Sequence, residues 1–204
     1  MSDTDREYKL ADTRARFAVA VREGRAVTDV TWTPGRVLLS NRRLVLAGND
    51  GRQTVPLSRV DGLGGRHDAN QTIARVSNYV SFDLDERVLL VAAADHESFE
   101  RDVYRALLDG STPLVRHPAV VGGVVSDADW ERARLGVGED GLSAALESGA
   151  FVRFDLDDVS GLEATERTVA DRKQPVLEVA HTDDDGTSVE THLGGDPRQM
   201  RFVE

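Results

Sequence analysis

The sequence contains no cysteine and no long hydrophobic run. The first absence excludes disulfides, thiolate metal sites, iron–sulfur clusters and cysteine nucleophiles. The second excludes a membrane-spanning helix, which needs about 20 apolar residues. Residues 1–5 are polar and acidic, without the basic and apolar segments of a signal peptide. These absences predict a cytoplasmic protein without membrane insertion.

Lysine is also scarce. Two lysines stand against 23 arginines, 23 aspartates and 13 glutamates, and the formal net charge is -11. This acidity argues against nucleic acid as a partner, because polyphosphate binding needs a basic surface. An aspartate-rich, lysine-poor surface suits concentrated salt, where the repulsion between carboxylates is screened. The composition therefore predicts a protein of a halophilic archaeon. Arginine-favouring codon usage in a GC-rich genome is the alternative.

Hydrophobic periodicity predicts about seven strands and one helix in residues 14–109. Asp95 is the predicted N-cap of the helix, which presents Phe99, Val103 and Leu107 on one face and stops at Gly110. Before the strand at 36–40, a short β-type run at 30–33 is followed by a turn signal at residues 34–35. The other predicted strands are 14–22, 43–47, 53–57, 60–63, 79–84 and 87–93, with a loop at 64–70.

The second half follows the same plan. Asp196 and Pro197 form a helix-start signal, and the chain stops at Glu204, so the second helix is predicted to be truncated. The turn at residues 183–186 joins the last two strands. The predicted strands are 114–117, 120–125, 130–137, 141–146, 150–156, 159–165, 175–181 and 187–193.

One pattern occurs in both halves. Residues 55–63 and residues 154–162 each alternate apolar and polar positions and end in Gly-Leu. In each half an apolar strand precedes the pattern, and the distance from that strand to the pattern differs by only one residue between the two halves. The pattern predicts a strand, a kink and a second strand. Coincidence between two generic β segments is the alternative to duplication. Duplication predicts two domains, at residues 1–110 and 111–204.

The hairpin at residues 35–46 and the strand at 55–60 resemble those of pleckstrin-homology-like and GRAM domains. Those folds pair a Gly-x-apolar-x-apolar-Ser/Thr-Asn-x-Arg hairpin with an apolar-Pro-apolar strand, and a C-terminal helix closes the barrel. A small open barrel needs such a helix to complete its core. The expected fold is mostly β with α: two tandem pleckstrin-homology/GRAM-like small barrels, each closed by a C-terminal helix.

Residues 32–44, 62–66, 99–108 and 115–125, in that order, resemble the archaeal CheF family of taxis adaptors, and the likeness spans residues 9–204. It implies a non-enzymatic adaptor that links the response regulator CheY to the cytosolic ring of the archaellum motor, at the motor base. It also implies self-association, here as a homodimer, contact with other taxis proteins, and a winged-helix-like C-terminal part. If that part binds CheY, residues 1–204 are expected to bind CheY poorly and to keep the ring or dimer contact.

The sequence shows no catalytic or cofactor motif. Its five histidines lack zinc-helix spacing, no serine lies in a Gly-x-Ser-x-Gly elbow, and the acidic turn at 183–186 lacks the ligand pattern of a calcium loop. We therefore predict no enzyme activity, no metal and no cofactor. The candidate interaction residues are Trp32, Arg42, Arg43, Arg66, His117 and Trp130.

Arg42 and Arg43 also suggest an alternative function. Both lie at the predicted hairpin tip, where basic residues of lipid-binding pleckstrin-homology domains contact phosphoinositides. The alternative function is therefore a pleckstrin-homology/GRAM-like module that binds a lipid or a small ligand. Two arginines in a strongly acidic protein make a weak lipid site, particularly in concentrated salt.

Overall fold

The structure, a computed structural model, describes residues 6–23, 26–28, 30–64, 76, 78–138, 140–183 and 185–195. The chain divides into two compact units, Met1–Leu107 and Leu108–Glu204. The described residues are mostly β-strand, and the strands of each unit form one strongly curled sheet. One α-helix lies among them, after the strands of the first unit.

The sheet of the first unit is antiparallel and has the order β5-β4-β3-β1-β8-β7-β6, with β2 paired to the end of β1. The long strand β1 therefore lies at its centre, between β3 and β8. The strands are β1 (Lys9–Glu23), β2 (Ala26–Thr28), β3 (Thr33–Ser40), β4 (Arg43–Gly48), β5 (Gly51–Pro56), β6 (Gly62–Gly64), β7 (Val80–Leu84) and β8 (Arg87–Ala93).

Strand β8 carries the most continuous apolar run of this sheet. Residues 88–91 are all buried. Val88 and Leu90 join a cluster with Ala20 and Tyr79, and their neighbours in sequence face the other side of the strand. A strand buried on both faces needs apolar residues at every position, which explains why β8 does not alternate.

Helix α1 (His96–Leu108) begins and ends as the sequence predicts. The Asp95 carboxylate accepts a hydrogen bond from the Ser98 N–H at 3.1 Å, which caps the first turn. Gly110 has a φ of 77°, the left-handed conformation that commonly ends a helix. Phe99, Val103 and Ala106 are buried, whereas Leu107 is half-buried, so Ala106 is the third core residue of the apolar face.

The sheet of the second unit repeats this order as β13-β12-β11-β9-β16-β15-β14, with β10 paired to β9. A core cluster of this unit includes Val115, Phe154, Val179 and Leu193. The strands are β9 (Leu114–Val121), β10 (Val124–Val125), β11 (Glu131–Val137), β12 (Gly141–Leu146), β13 (Phe151–Asp155), β14 (Val159–Val169), β15 (Arg172–Thr182) and β16 (Ser188–Gly194).

Both copies of the repeated sequence pattern take the same conformation. A single turn of 3-10 helix, Leu57–Arg59 in the first unit and Leu156–Asp158 in the second, separates two strands. The residue after each turn, Val60 or Val159, is extended and donates its N–H to the first carbonyl of the turn. The predicted strand, kink and second strand are therefore confirmed at both places.

The predicted turn at Pro34 and Gly35 is wrong. Both residues lie inside β3, where Gly35 pairs with Ala15 of β1 and Gly48 of β4. A Cβ atom at Gly35 would lie 2.1 Å from the carbonyl oxygen of Ala47, so this glycine permits a close approach of two strands. The preceding run at 30–33 is not a strand either, since β3 begins only at Thr33.

A turn signal was also missed in the second half. The predicted strand at 120–125 is divided by Gly122 and Gly123, which have φ values of 54° and 83° and join β9 to β10. Consecutive left-handed residues fit a two-residue hairpin turn. The predicted loop residues 65–70 and the helix-start signal at Asp196 lie outside the described residues.

Candidate functional site

Trp32 lies at the edge of the first unit's core. It is half-buried and packs against the cluster of Ala20, Tyr79, Val88 and Leu90. Its ring centroid is 6.2 Å from that of Tyr79, in a tilted arrangement. The contact explains why a large aromatic side chain stands in the segment before β3, and it leaves part of the indole exposed.

Arg43, at the start of β4, is held by a carboxylate. Its Nε and Nη2 atoms donate to Glu7 Oε1 and Oε2 at 2.8 and 2.7 Å, and the Ser40 hydroxyl donates to the same carboxylate at 2.7 Å. The hydrogen bond from Arg43, followed by that from Ser40, lowers the pKa of Glu7. These residues line a shallow cavity of about 270 Å³ together with Lys9 and Arg52.

The other two predicted arginines give less information. Arg42 is exposed on the β3–β4 turn, and its carbonyl accepts a hydrogen bond from the Leu57 N–H at 2.8 Å. Its backbone therefore fixes the turn against the 3-10 helix that follows β5. Arg66 lies outside the described residues.

His117 belongs to a buried polar group inside the second unit. Its Nδ1 atom lies 2.7 Å from the Thr191 hydroxyl, and Nε2 of His181 lies 3.0 Å from the same oxygen. The two imidazoles stack with centroids 6.1 Å apart, and Phe154 packs against His181. Burial, followed by the proximity of His181, lowers the pKa of His117. The arrangement is that of a packed, hydrogen-bonded core.

On the opposite face of β15 and β16, Glu178, Glu190 and His192 form what we term the Glu–Glu–His cluster. Glu178 and His192 are cross-strand partners, and Glu190 lies two residues before His192, so the three side chains share one face. Nε2 of His192 is 3.5 Å from Glu190 Oε2 and 4.0 Å from Glu178 Oε2. Within the part of the chain that the structure describes, this is the one group of three potential metal ligands whose atoms lie within 4.8 Å of one another.

Trp130 covers this cluster from one side. Its ring centroid is 6.2 Å from that of His192, and a Cβ atom at Gly194 would lie 3.2 Å from the indole. Arg116 donates to the carbonyl oxygens of Ala128 and Ser126 at 2.8 and 2.6 Å, which fixes the segment leading to Trp130. Trp130 and His117 are therefore in one unit but on different faces of its sheet.

The Glu–Glu–His cluster was not predicted from the sequence, because its residues lack the i, i+4 spacing of a helical zinc site. In a strand, alternate residues share a face, so Glu190 and His192 needed only a strand prediction to be placed together. The signal was present, since 187–193 was predicted as a strand. The register that places Glu178 opposite His192 depends on the β15–β16 turn, which the sequence alone does not fix.

A second feature of this unit is the valine hairpin, which we define as Val121, Val124 and Val125 with the turn at Gly122 and Gly123. Val124 and Val125 are 70% and 69% exposed, and Val121 is also exposed. The base of the hairpin is fixed by a hydrogen bond from the Ser126 N–H to the Ala119 carbonyl at 2.9 Å. The hairpin therefore presents apolar side chains to solvent.

No helix in the described part of the chain is long and apolar enough to cross a membrane. The family model described as "Archaeal Chemotaxis signal transduction system protein F" matches residues 9–204. The chain belongs to the archaeal CheF family. The descriptions of the family and of its relatives are those of taxis signal-transduction proteins.

Two curated CheF relatives come from Halobacterium salinarum. Taxis protein CheF1 is 48% identical over 203 residues, which cover 98% of this chain and 70% of the relative. Taxis protein CheF2 is 31% identical over 162 residues, which cover 76% of this chain and 55% of the relative. The predicted resemblance to the CheF family is confirmed over nearly the whole chain. The chain thus has a role in archaeal chemotaxis signalling.

Proposed function

We propose that this chain is a non-enzymatic adaptor that couples the response regulator CheY to the cytosolic ring of the archaellum motor. The observation that carries the proposal is the CheF family match over residues 9–204, together with 48% identity to a taxis protein. We place its action in the cytoplasm at the motor base, and propose that it associates as a homodimer.

The architecture supports an interaction role. Each unit is a curled antiparallel sheet whose seven main strands follow one another in the same order. We propose that both are pleckstrin-homology-like barrels, with domain limits near the predicted 1–110 and 111–204. Such barrels are scaffolds on which edges and loops provide the binding surfaces.

We propose the valine hairpin as the surface that contacts the ring. Among the predicted interaction residues, Trp32, His117 and Trp130 make contacts inside their own units, and Arg43 is paired with Glu7. Their part in an interface stays a prediction. The valine hairpin instead exposes apolar side chains on a fixed base. In concentrated salt, charge attraction is screened, so apolar contacts supply more of the binding energy.

The test is a pull-down of archaellum ring components and phosphorylated CheY by the 204-residue chain in molar KCl. We expect ring binding, reduced at least about tenfold by Val124→Ser/Val125→Ser, which corresponds to about 1.4 kcal/mol. Val19→Ser/Val21→Ser is the matched control, since these valines are also exposed but lie on β1 of the first unit. Light scattering of each variant checks that the dimer is unchanged.

Each part of the proposal can fail separately. Binding to neither ring components nor CheY would contradict the adaptor role, and full ring binding by the hairpin variant would contradict the proposed surface alone. Tight binding of phosphorylated CheY to this chain would contradict the prediction that the CheY contact needs a further C-terminal part. Salt-resistant flotation with liposomes would favour the lipid-module alternative instead.

A further inference from the structure

We propose that the Glu–Glu–His cluster of Glu178, Glu190 and His192 is a binding site for a divalent first-row transition ion, with Zn²⁺ as the representative ion. The ligands are one oxygen of each carboxylate and Nε2 of the imidazole. This inference concerns the outer face of β15 and β16 and goes beyond the proposed adaptor function.

The ligand atoms already converge. The Oε2 atoms of Glu190 and Glu178 are 3.5 and 4.0 Å from His192 Nε2, and the three ligand atoms lie within 4.8 Å of one another. Ligands about 2.0–2.1 Å from a tetrahedral zinc are separated by about 3.4 Å. The cluster must therefore contract slightly, and the Glu190 side chain, 36% exposed, has room to move.

Glu178 is oriented for this role by its other oxygen. Arg167 Nε and the Thr165 hydroxyl both donate to Glu178 Oε1, which leaves Oε2 on the side of His192. Outer partners of this kind commonly orient metal-ligating carboxylates. Arg167 also places a positive charge nearby, and the two carboxylates with the adjacent Glu163 outweigh it.

His192 supplies the second, independent observation. Its side chain is 3% exposed, its Nδ1 atom is buried without a hydrogen-bond partner in the described residues, and its Nε2 atom is directed between the two carboxylates. Nε2, at 3.5 Å from Glu190 Oε2, is therefore the ring nitrogen that can coordinate an ion held between the two carboxylates.

The donor set selects the class of ion. Carboxylate oxygens alone would favour Mg²⁺ or Ca²⁺, whereas an imidazole nitrogen favours Zn²⁺ and its neighbours in the first transition row. The His192 ligand is itself buried beside Trp130, and electrostatic attraction between an ion and its ligands is stronger in such surroundings than in water. Three protein ligands leave a coordination position for water or a partner's side chain.

The experiment is a calorimetric titration of the chelator-treated 204-residue protein with Zn²⁺ at neutral pH in molar potassium nitrate. We expect one ion per chain, and Glu190→Gln should weaken binding at least about tenfold. Glu163→Gln is the matched control. It removes the same charge from the cross-strand partner of Glu178, but it removes no ligand. We expect it to change the affinity less than about twofold, because an exposed charge acts weakly in concentrated salt.

Tryptophan fluorescence emission shows where the ion binds. With Trp32→Phe, the remaining signal comes from Trp130, and Zn²⁺ should change it in that variant but not after a further Glu190→Gln substitution. The proposal is overturned if no saturable one-to-one binding occurs, if Glu163→Gln and Glu190→Gln weaken binding equally, or if Trp130 emission does not respond. Tighter binding of Mg²⁺ than of Zn²⁺ would overturn the proposed class of ion.

Discussion

A single hydroxyl joins the half-buried imidazole of His117 to the buried imidazole of His181 in the second unit. The Thr191 oxygen lies 2.7 Å from His117 Nδ1 and 3.0 Å from His181 Nε2. When both imidazoles are neutral, the hydroxyl donates to one and accepts from the other. A proton added to His117 places a charge in a partly buried position beside a second imidazole, and this is why its pKa is lowered.

This geometry predicts that the protein loses stability as the pH falls below about 6.5, the ordinary pKa of histidine. Because the folded-state pKa of His117 is lowered, the unfolded chain binds the proton first. The free energy of unfolding then falls by up to about 1.4 kcal/mol per pH unit until the folded-state pKa is reached. His192, whose pKa is also lowered, adds to the loss. Thermal melting in molar KCl, repeated from neutral pH down to mildly acidic pH, measures this loss of stability.

Two variants separate the titration of His117 from the hydrogen bond that it makes. His117→Asn should melt with a smaller dependence on pH than the wild type. Thr191→Val removes the shared hydroxyl but keeps both imidazoles, so it should lower stability at every pH and leave the dependence on pH in place. Parallel curves for the wild type and His117→Asn would contradict this account.

At the scale of the element, strands and the helix were predictable because their periodicity is local. Strand 87–93, strand 141–146 and helix α1 were predicted within a residue of their observed bounds. The structural role of a glycine was less predictable, since glycine permits both turns and close approaches between strands. At Gly122 and Gly123 it makes a turn inside a predicted strand, and at Gly35 it permits a close approach of two paired strands where a turn was predicted.

The close approach of β3 and β4 at Gly35 gives a prediction at the scale of the element. Gly35→Ala places a Cβ atom 2.1 Å from the Ala47 carbonyl oxygen, so β3 and β4 must separate. We expect a loss of about 1–3 kcal/mol in the free energy of unfolding. Gly161→Ala is the matched control, because its Cβ would meet only the Ala180 Cβ at 3.7 Å. Urea denaturation followed by circular dichroism compares them, and an equal effect of both substitutions would rule out the steric explanation.

At the scale of the whole molecule, the repeat that was predicted as a strand, a kink and a second strand is present in both units, and the kink is a 3-10 turn in each. The two sheets also share one strand order, which was not part of that prediction. The candidate site was predicted less well. Its ligands come from two strands whose pairing brings Glu178 opposite His192, and such pairing is not a local property of the sequence. The exposure of the valine hairpin could not be predicted either, since its apolar run is typical of a buried strand.

The net charge of -11 gives the last prediction, for the whole molecule. The screening length falls from about 10 Å at 0.1 M salt to about 3 Å at 1 M, so most of the repulsion between surface carboxylates should disappear in that range. We therefore expect the free energy of unfolding to rise steeply up to about 1 M KCl. The variant Asp157→Asn/Asp158→Asn/Glu166→Gln, at three exposed positions, should reduce that rise. Asp157→Glu/Asp158→Glu/Glu166→Asp keeps the charge and should not. If both triple variants keep the wild-type salt dependence, the stabilisation by salt comes from strengthened apolar burial instead of screened repulsion.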